Sequence, residues 1–120
     1  MRLGLVVVAM LAGGVFACGG EEVSPVDCSN AGTSASYSSN VKAFLDEHCI
    51  ACHTEGSNPI VRQGAPAGVN YNTFENARSN ASAGAHSVSE GEMPERGGAA
   101  ELSTTDRCLL QAWVNAGTPQ

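Results

Sequence analysis

Cys49 and Cys52 stand three positions apart with His53 directly behind them. Two thiols and an imidazole in that order form a haem attachment sequence. The spacing suits the chemistry, because two thiols on one turn of chain can add to the two vinyl groups along one porphyrin edge. The next residue then lies beneath the iron, where His53 would supply one axial nitrogen. Other chemistries use the same residues: a zinc half-site, a thioredoxin-like redox pair, or a simple disulfide. A zinc site would want a second ligand pair, and neither another C-x-x-C nor an H-x-x-x-H occurs in the chain. A thioredoxin-like domain would want alternating strands and helices over about a hundred residues, whereas the segments here read as short helices between Gly-rich loops.

The candidate for the opposite side of the iron is Met93, in Gly91-Glu92-Met93-Pro94-Glu95-Arg96-Gly97. A thioether there favours ferrous iron and raises the reduction potential. Pro94 and the flanking glycines stiffen and bend the loop that would present the sulfur. Met1 and Met10 lie in the leader described below. His86 is the rival, giving two imidazoles and a lower potential, and His48 reads as part of a helix face. Arg62 and Arg96, one in each loop region, could pair with haem propionates. Tyr71 and Trp113 could donate to the same groups, although core packing suits them better.

The first residues bear on where such chemistry is available. Met1-Arg2 gives a positive start and Leu3 to Ala17 is an uncharged apolar run. That is an export signal, too short for a spanning helix. Val15-Phe16-Ala17-Cys18 also looks like the cleavage box of bacterial lipoproteins, in which Cys18 becomes the lipidated first residue, with ordinary cleavage as the alternative. The expected organisation is a signal over 1–17, a lipidated and flexible tether over 18–37, and one domain over 38–120. With Cys18 taken by lipid and Cys49 and Cys52 by haem, Cys28 and Cys108 are left of the five cysteines. In an oxidising compartment they are expected to be bridged, for about 4.5 kcal/mol in the chain-entropy model; two free buried thiols are the alternative.

Processing would leave 103 residues carrying five basic and twelve acidic side chains, a formal charge near −7. Nucleic acid and anionic membrane surfaces are poor partners for that charge, and a basic or mixed patch on a redox protein is a better one. The missing acidic residue after Cys18 weakly favours the outer over the inner membrane of a cell envelope.

The elements that must position these residues read as all-α. Ser38 or Ser39 can cap a helix with Val41, Phe44, Leu45 and His48 on one face, running straight into Cys49. A weaker helix, short or frayed, is expected after Asn72, with Glu75 in a capping box and Phe74, Ala77 and Ala81 on its apolar side. The best-marked helix starts at Ser103 with Asp106 completing the box, carries Leu109, Leu110, Trp113 and Val114, and stops at Gly117 and Pro119. Regions 54–71 and 84–102 read as loops too rich in glycine for regular structure. So few large apolar side chains would hardly form a core alone, and a haem offers the flat apolar surface that short helices and loops could wrap.

The helix into Cys49–His53, Gly64-Ala65-Pro66, Met93-Pro94, and Leu102-Ser103 through Trp113-Val114-Asn115-Ala116-Gly117 together resemble a small class I cytochrome c. The lipoprotein signal with "YNTFENA", "GEMPERGG" and "LLQAWVNAG" is similar to single-haem lipoproteins of bacterial envelopes. The resemblance covers roughly Ser38 onward. It implies that the first and last helices cross behind one haem c, with Phe44 and Leu45 against Leu110, Trp113 and Val114. It also implies that the Pro66 carbonyl, or failing that Pro59, accepts a hydrogen bond from His53. Function then reads as a membrane-tethered carrier passing single electrons between envelope redox proteins, without substrate chemistry, as a monomer or a subunit of a redox complex. The alternatives are a haem c sensor or enzyme subunit with an open distal position for a gas or peroxide, and a haem-free metal or dithiol module.

Overall fold

A computed structural model describes residues 22–95 and 97–120; the expected signal over 1–17, Cys18 and Arg96 lie outside the described residues. About half of the chain is helical and no strand occurs among the described residues, as the all-α reading expects. None of the described helices is long and apolar enough to cross a membrane.

A π-helical turn, Tyr37–Val41, leads directly into α1 (Lys42–His48), which buries Phe44 and Leu45 and ends at Cys49. α2 is a single turn, Pro59–Arg62. Proline at its first position forfeits an N–H that has no partner there anyway, and the Asn58 side chain caps it by accepting from Val61 N at 3.0 Å. α3 runs over Phe74–Glu90, a 3-10 turn follows at Gly98–Glu101, and α4 (Thr104–Arg107) and α5 (Leu109–Asn115) are separated at Cys108 alone. The Ser103 cap is formed as expected: its Oγ accepts from Asp106 N at 3.1 Å and donates to the Asp106 carboxylate at 2.6 Å.

α3 corrects two expectations, because it is the longest helix rather than a frayed one and occupies the first part of the stretch read as a loop from Gly84. Its cap is Thr73, whose hydroxyl accepts from Asn76 N at 3.1 Å, rather than Asn72. Ala77, Ala81, Gly84, Ala85 and Val88 form its buried stripe. Small residues give that face a weak apolar signal, yet they let another element approach closely. α5 takes that place, packing chiefly on α3 and on the Tyr37–Val41 turn. Phe44, Leu45, Leu110 and Trp113, from the first and last helices, share one core cluster, while α5 packs chiefly on α3.

Three aromatic rings from three segments close the far end of the core. Tyr37 meets Phe74 edge-on with centroids 5.2 Å apart, and Trp113 lies 6.0 Å from Tyr37 and 6.3 Å from Phe74. Such pairs add about 0.5–1.5 kcal/mol each beyond the area they bury. Trp113 Nε1 donates to Pro119 O at 2.8 Å, and the same carbonyl accepts from Tyr37 N at 3.0 Å. Trp113 is thus core, as its packing role required, and is fully buried.

The stretch expected as a loose tether is packed from Cys28 onward. Cys28, Ala35 and Tyr37 are buried, and Cys28 and Cys108 are joined by a disulfide with Cα atoms 5.3 Å apart. Upstream of the bridge, Val26 N donates to Ser89 O at 2.9 Å. Arg107, itself buried, donates to Ser24 O at 2.9 Å, Val88 O at 3.2 Å and Ser89 O at 2.7 Å. Residues 23–28 therefore form a strap against the end of α3, and the folded unit begins before residue 38.

Candidate haem site

The attachment turn is built by the end of α1. Cys49 N and Ile50 N both donate to Leu45 O, and then Cys52 N and His53 N both return to Cys49 O at 3.2 and 3.0 Å. Cys49 and Cys52 are unbridged, and His53 is buried. Burial pushes the Cys49 thiol up to about 12. A dithiol catalyst needs the opposite on its attacking thiol, so Cys49 is poorly suited to that part.

Two adjoining cavities of about 150 and 190 Å³ flank this turn, and both are lined by His48, Cys49, His53, Met93 and Pro94. Cys52, Arg62 and Glu95 complete the first, while Val69, Tyr71, Val88 and Leu110 give the second an apolar wall. The structure thus brings together Cys49, Cys52, His53 and Met93, which are distant in sequence. His86 is exposed on α3 and lines neither cavity, so the bis-imidazole alternative finds no support in the geometry. His48 is partly buried against Phe44, with ring centroids 4.9 Å apart.

His53 Nδ1 donates to Val69 O at 2.9 Å, which fixes the ring and its tautomer. No hydrogen bond among the described residues engages Nε2. The ring also meets Tyr71 edge-on at 5.5 Å, and His53 O accepts from Tyr71 N at 2.9 Å. Tyr71 is core, with its hydroxyl pushed up to about 12 by burial first and by the nearby Cys49 second. It packs against Gly84, where a Cβ would stand 2.6 Å from the Tyr71 oxygen.

The acceptor for His53 is therefore Val69, not Pro66 or Pro59. Pro66 lines the second cavity, but its carbonyl accepts from Val69 N at 3.0 Å and from Arg62. Pro59 starts α2 and makes no hydrogen bond with His53.

Arg62 also differs from expectation. It is 6% exposed, and all five of its N–H donors are used inside the protein. Nε donates to Ala65 O at 3.1 Å; one terminal nitrogen donates to Thr54 O at 2.6 Å and Asn70 Oδ1 at 2.8 Å; the other donates to Pro66 O and to Val69 O at 3.2 Å. A guanidinium has five donors, so none remains for a propionate. Its work is to gather the carbonyls of 54–70 around one point.

Met93 is held differently. α3 ends at Gly91 with φ +82°, and Glu92 N and Met93 N both donate to Ser87 O, at 2.9 and 3.2 Å. A Cβ at Gly91 would stand 2.8 Å from Val23 O, so glycine serves both the left-handed turn and the passage of the strap. Met93 is partly buried and packs on the core cluster; the Met93–Pro94 peptide is cis.

These residues fit a haem. Two free thiols on one turn, an oriented imidazole with one nitrogen unengaged and a thioether border the first cavity, and all of these but Cys52 also border the second, which has the apolar wall. A metal ion bound by protein alone fits less well, because no three His, Cys, Asp or Glu side chains among the described residues are grouped to hold one. Sequence reasoning missed Val69, since any residue can offer a backbone carbonyl, and it missed the buried role of Arg62. No family profile, characterised protein or solved structure matches the chain.

Proposed function

We propose that the chain is a mono-haem c-type cytochrome that passes single electrons between redox proteins of a cell envelope, tethered through a lipid on Cys18. One observation carries this reading: Cys49, Cys52, His53 and Met93 border one cavity, and His53 is already oriented through Nδ1. When bound, haem supplies a one-electron couple at its iron. Cys49 and Cys52 would anchor it covalently, His53 Nε2 and the Met93 thioether would be its protein donors, and Val69, Tyr71, Val88 and Leu110 would exclude water from one side. The Val69 carbonyl would strengthen His53 as a donor, and the Met93 sulfur would favour the reduced state. No proton acceptor or nucleophile placed for substrate chemistry is needed in this scheme. The acidic balance of the chain, six net negative charges over its full length, suits a basic or mixed docking partner.

The test is a pyridine haemochrome spectrum of the purified mature protein, read with the sulfur-to-iron charge-transfer band of the ferric form. The expected result is one haem c per chain and a band that disappears in Met93→Ala. A haem-free product defeats the cytochrome reading. A band that is missing from the wild type, or that persists in Met93→Ala, defeats Met93 as ligand and favours the open-site sensor or enzyme.

A further inference from the structure

We propose that Arg62 is a positioning residue that raises the reduction potential of the bound group through the Val69 carbonyl; the inference rests on the haem reading above. The Val69 oxygen accepts from His53 Nδ1 at 2.9 Å and from the Arg62 guanidinium at 3.2 Å. Hydrogen bonding to the far nitrogen of an axial histidine increases its donation to the metal. A cation on the same oxygen draws electron density away from that bond and weakens the increase.

The charge is also unusually placed. A buried charge ordinarily pairs with an opposite one, yet no ion pair involving Arg62 occurs among the described residues, where the salt bridges are Lys42–Asp46 and Glu47–His48. Glu95 shares the first cavity's lining but makes no ion pair with Arg62. Carbonyl and amide dipoles alone satisfy the guanidinium, so its field is not cancelled locally by a carboxylate. Screening is weak at a buried site, and a positive field beside the axial ligand disfavours the more positive ferric state. Holding 54–70 together does not require a net charge to remain; a structural clamp with a buried carboxylate beside it would do the same.

Two variants separate charge from structure. Arg62→Gln removes both the charge and most donors. Asn70→Asp keeps every Arg62 donor in use but places a carboxylate on the guanidinium, since Asn70 Oδ1 already accepts from it at 2.8 Å; it gives up the Asn70 Nδ2 donation to Ala67 O at 2.9 Å, so the sulfur-to-iron band is read first to check that the loop is kept. The measurement is a potentiometric titration of the full haem-loaded chain, with the sulfur-to-iron band as a check that both axial ligands persist. The expected result is that each variant shifts the reduction equilibrium toward the oxidised form about tenfold, about 59 mV for one electron.

If Arg62→Gln fails to hold haem, Asn70→Asp decides alone. An Asn70→Asp potential within about twofold of wild type, about 18 mV by the same conversion, overturns the inference whatever Arg62→Gln does. So does an unchanged potential in a folded Arg62→Gln. A wild-type chain that carries no haem would instead sink the cytochrome reading, and this inference with it.

Discussion

Two buried arginines, Arg62 and Arg107, hold the segments next to the two candidate ligands, and they work over different distances. Arg62 binds only oxygens within eight residues of itself, in the region that faces His53. Arg107 joins carbonyls 18 to 83 residues away, gathering the strap and the end of α3 from which the Met93 loop departs. The histidine side is thus assembled from local contacts and can form with little help. The methionine side depends on closure of the whole chain, including the Cys28–Cys108 bridge over a separation of 80 residues. Local contacts form at lower entropic cost than distant ones, so the Met93 side should be the first to loosen when the protein is stressed.

The largest effect should come from exchanging the ligands themselves. His53→Ala is expected to abolish the native low-spin spectrum and the cooperative thermal transition together. Met93→Ala should lose only the sulfur band while keeping haem and most of the helical circular dichroism. Equal damage from both variants would erase the asymmetry.

Opening the bridge sharpens the contrast next. Cys28→Ser with Cys108→Ser is expected to cost about 2–5 kcal/mol in denaturant unfolding. As urea rises, the sulfur band of that variant should fade before the haem Soret shift that reports loss of His53. Simultaneous loss would mean that the strap does not single out the Met93 side.

A smaller effect, and the reverse one, is expected from Gly84→Ala. The new methyl must displace Tyr71, whose ring supports His53, for a cost of about 1–3 kcal/mol. The histidine side should then register the change, as a shifted hyperfine pattern of the His53 ring protons, with the sulfur band retained. Smallest are the two caps. Asn58→Ala and Ser103→Ala should each cost about 1 kcal/mol by chemical denaturation, the first loosening α2 beside Arg62 and the second α4 beside Arg107. Only the second is expected to bring forward the loss of the sulfur band.

What could be read in the chain follows the same division between local and distant causes. The attachment turn, the Ser103 cap with Asp106 and the α1 face are set by neighbours in sequence, so residue type and spacing carry them. The second half of α3 is not, because Gly84 and Ala85 gain their meaning only when α5 and Tyr71 lie against them. Val69 went unseen because its side chain plays no part in accepting from His53. Arg62 in a glycine-rich stretch reads as a surface charge, and only the convergence of carbonyls from Thr54, Ala65, Pro66 and Val69 makes it an interior one. The strap was hidden for a similar reason: residues 23–28 offer little to bury, and it is Arg107, Ser89 and Cys108 that hold them.

The pairing of Cys28 with Cys108 has a consequence for how the molecule is made. Synthesis runs from the N-terminus, so Cys28, Cys49 and Cys52 are all available before Cys108 emerges. Shorter loops close more readily than longer ones, so an early oxidant meets Cys28 beside the wrong partners. The bridge that belongs to the finished fold is the one that chronology disfavours. Correct maturation therefore requires that Cys49 and Cys52 be occupied or kept reduced until the last helix arrives, or that a mispaired bridge be reshuffled afterwards. Yield of the correctly bridged protein should accordingly track the timing of thiol protection during biogenesis as well as the stability of the final structure.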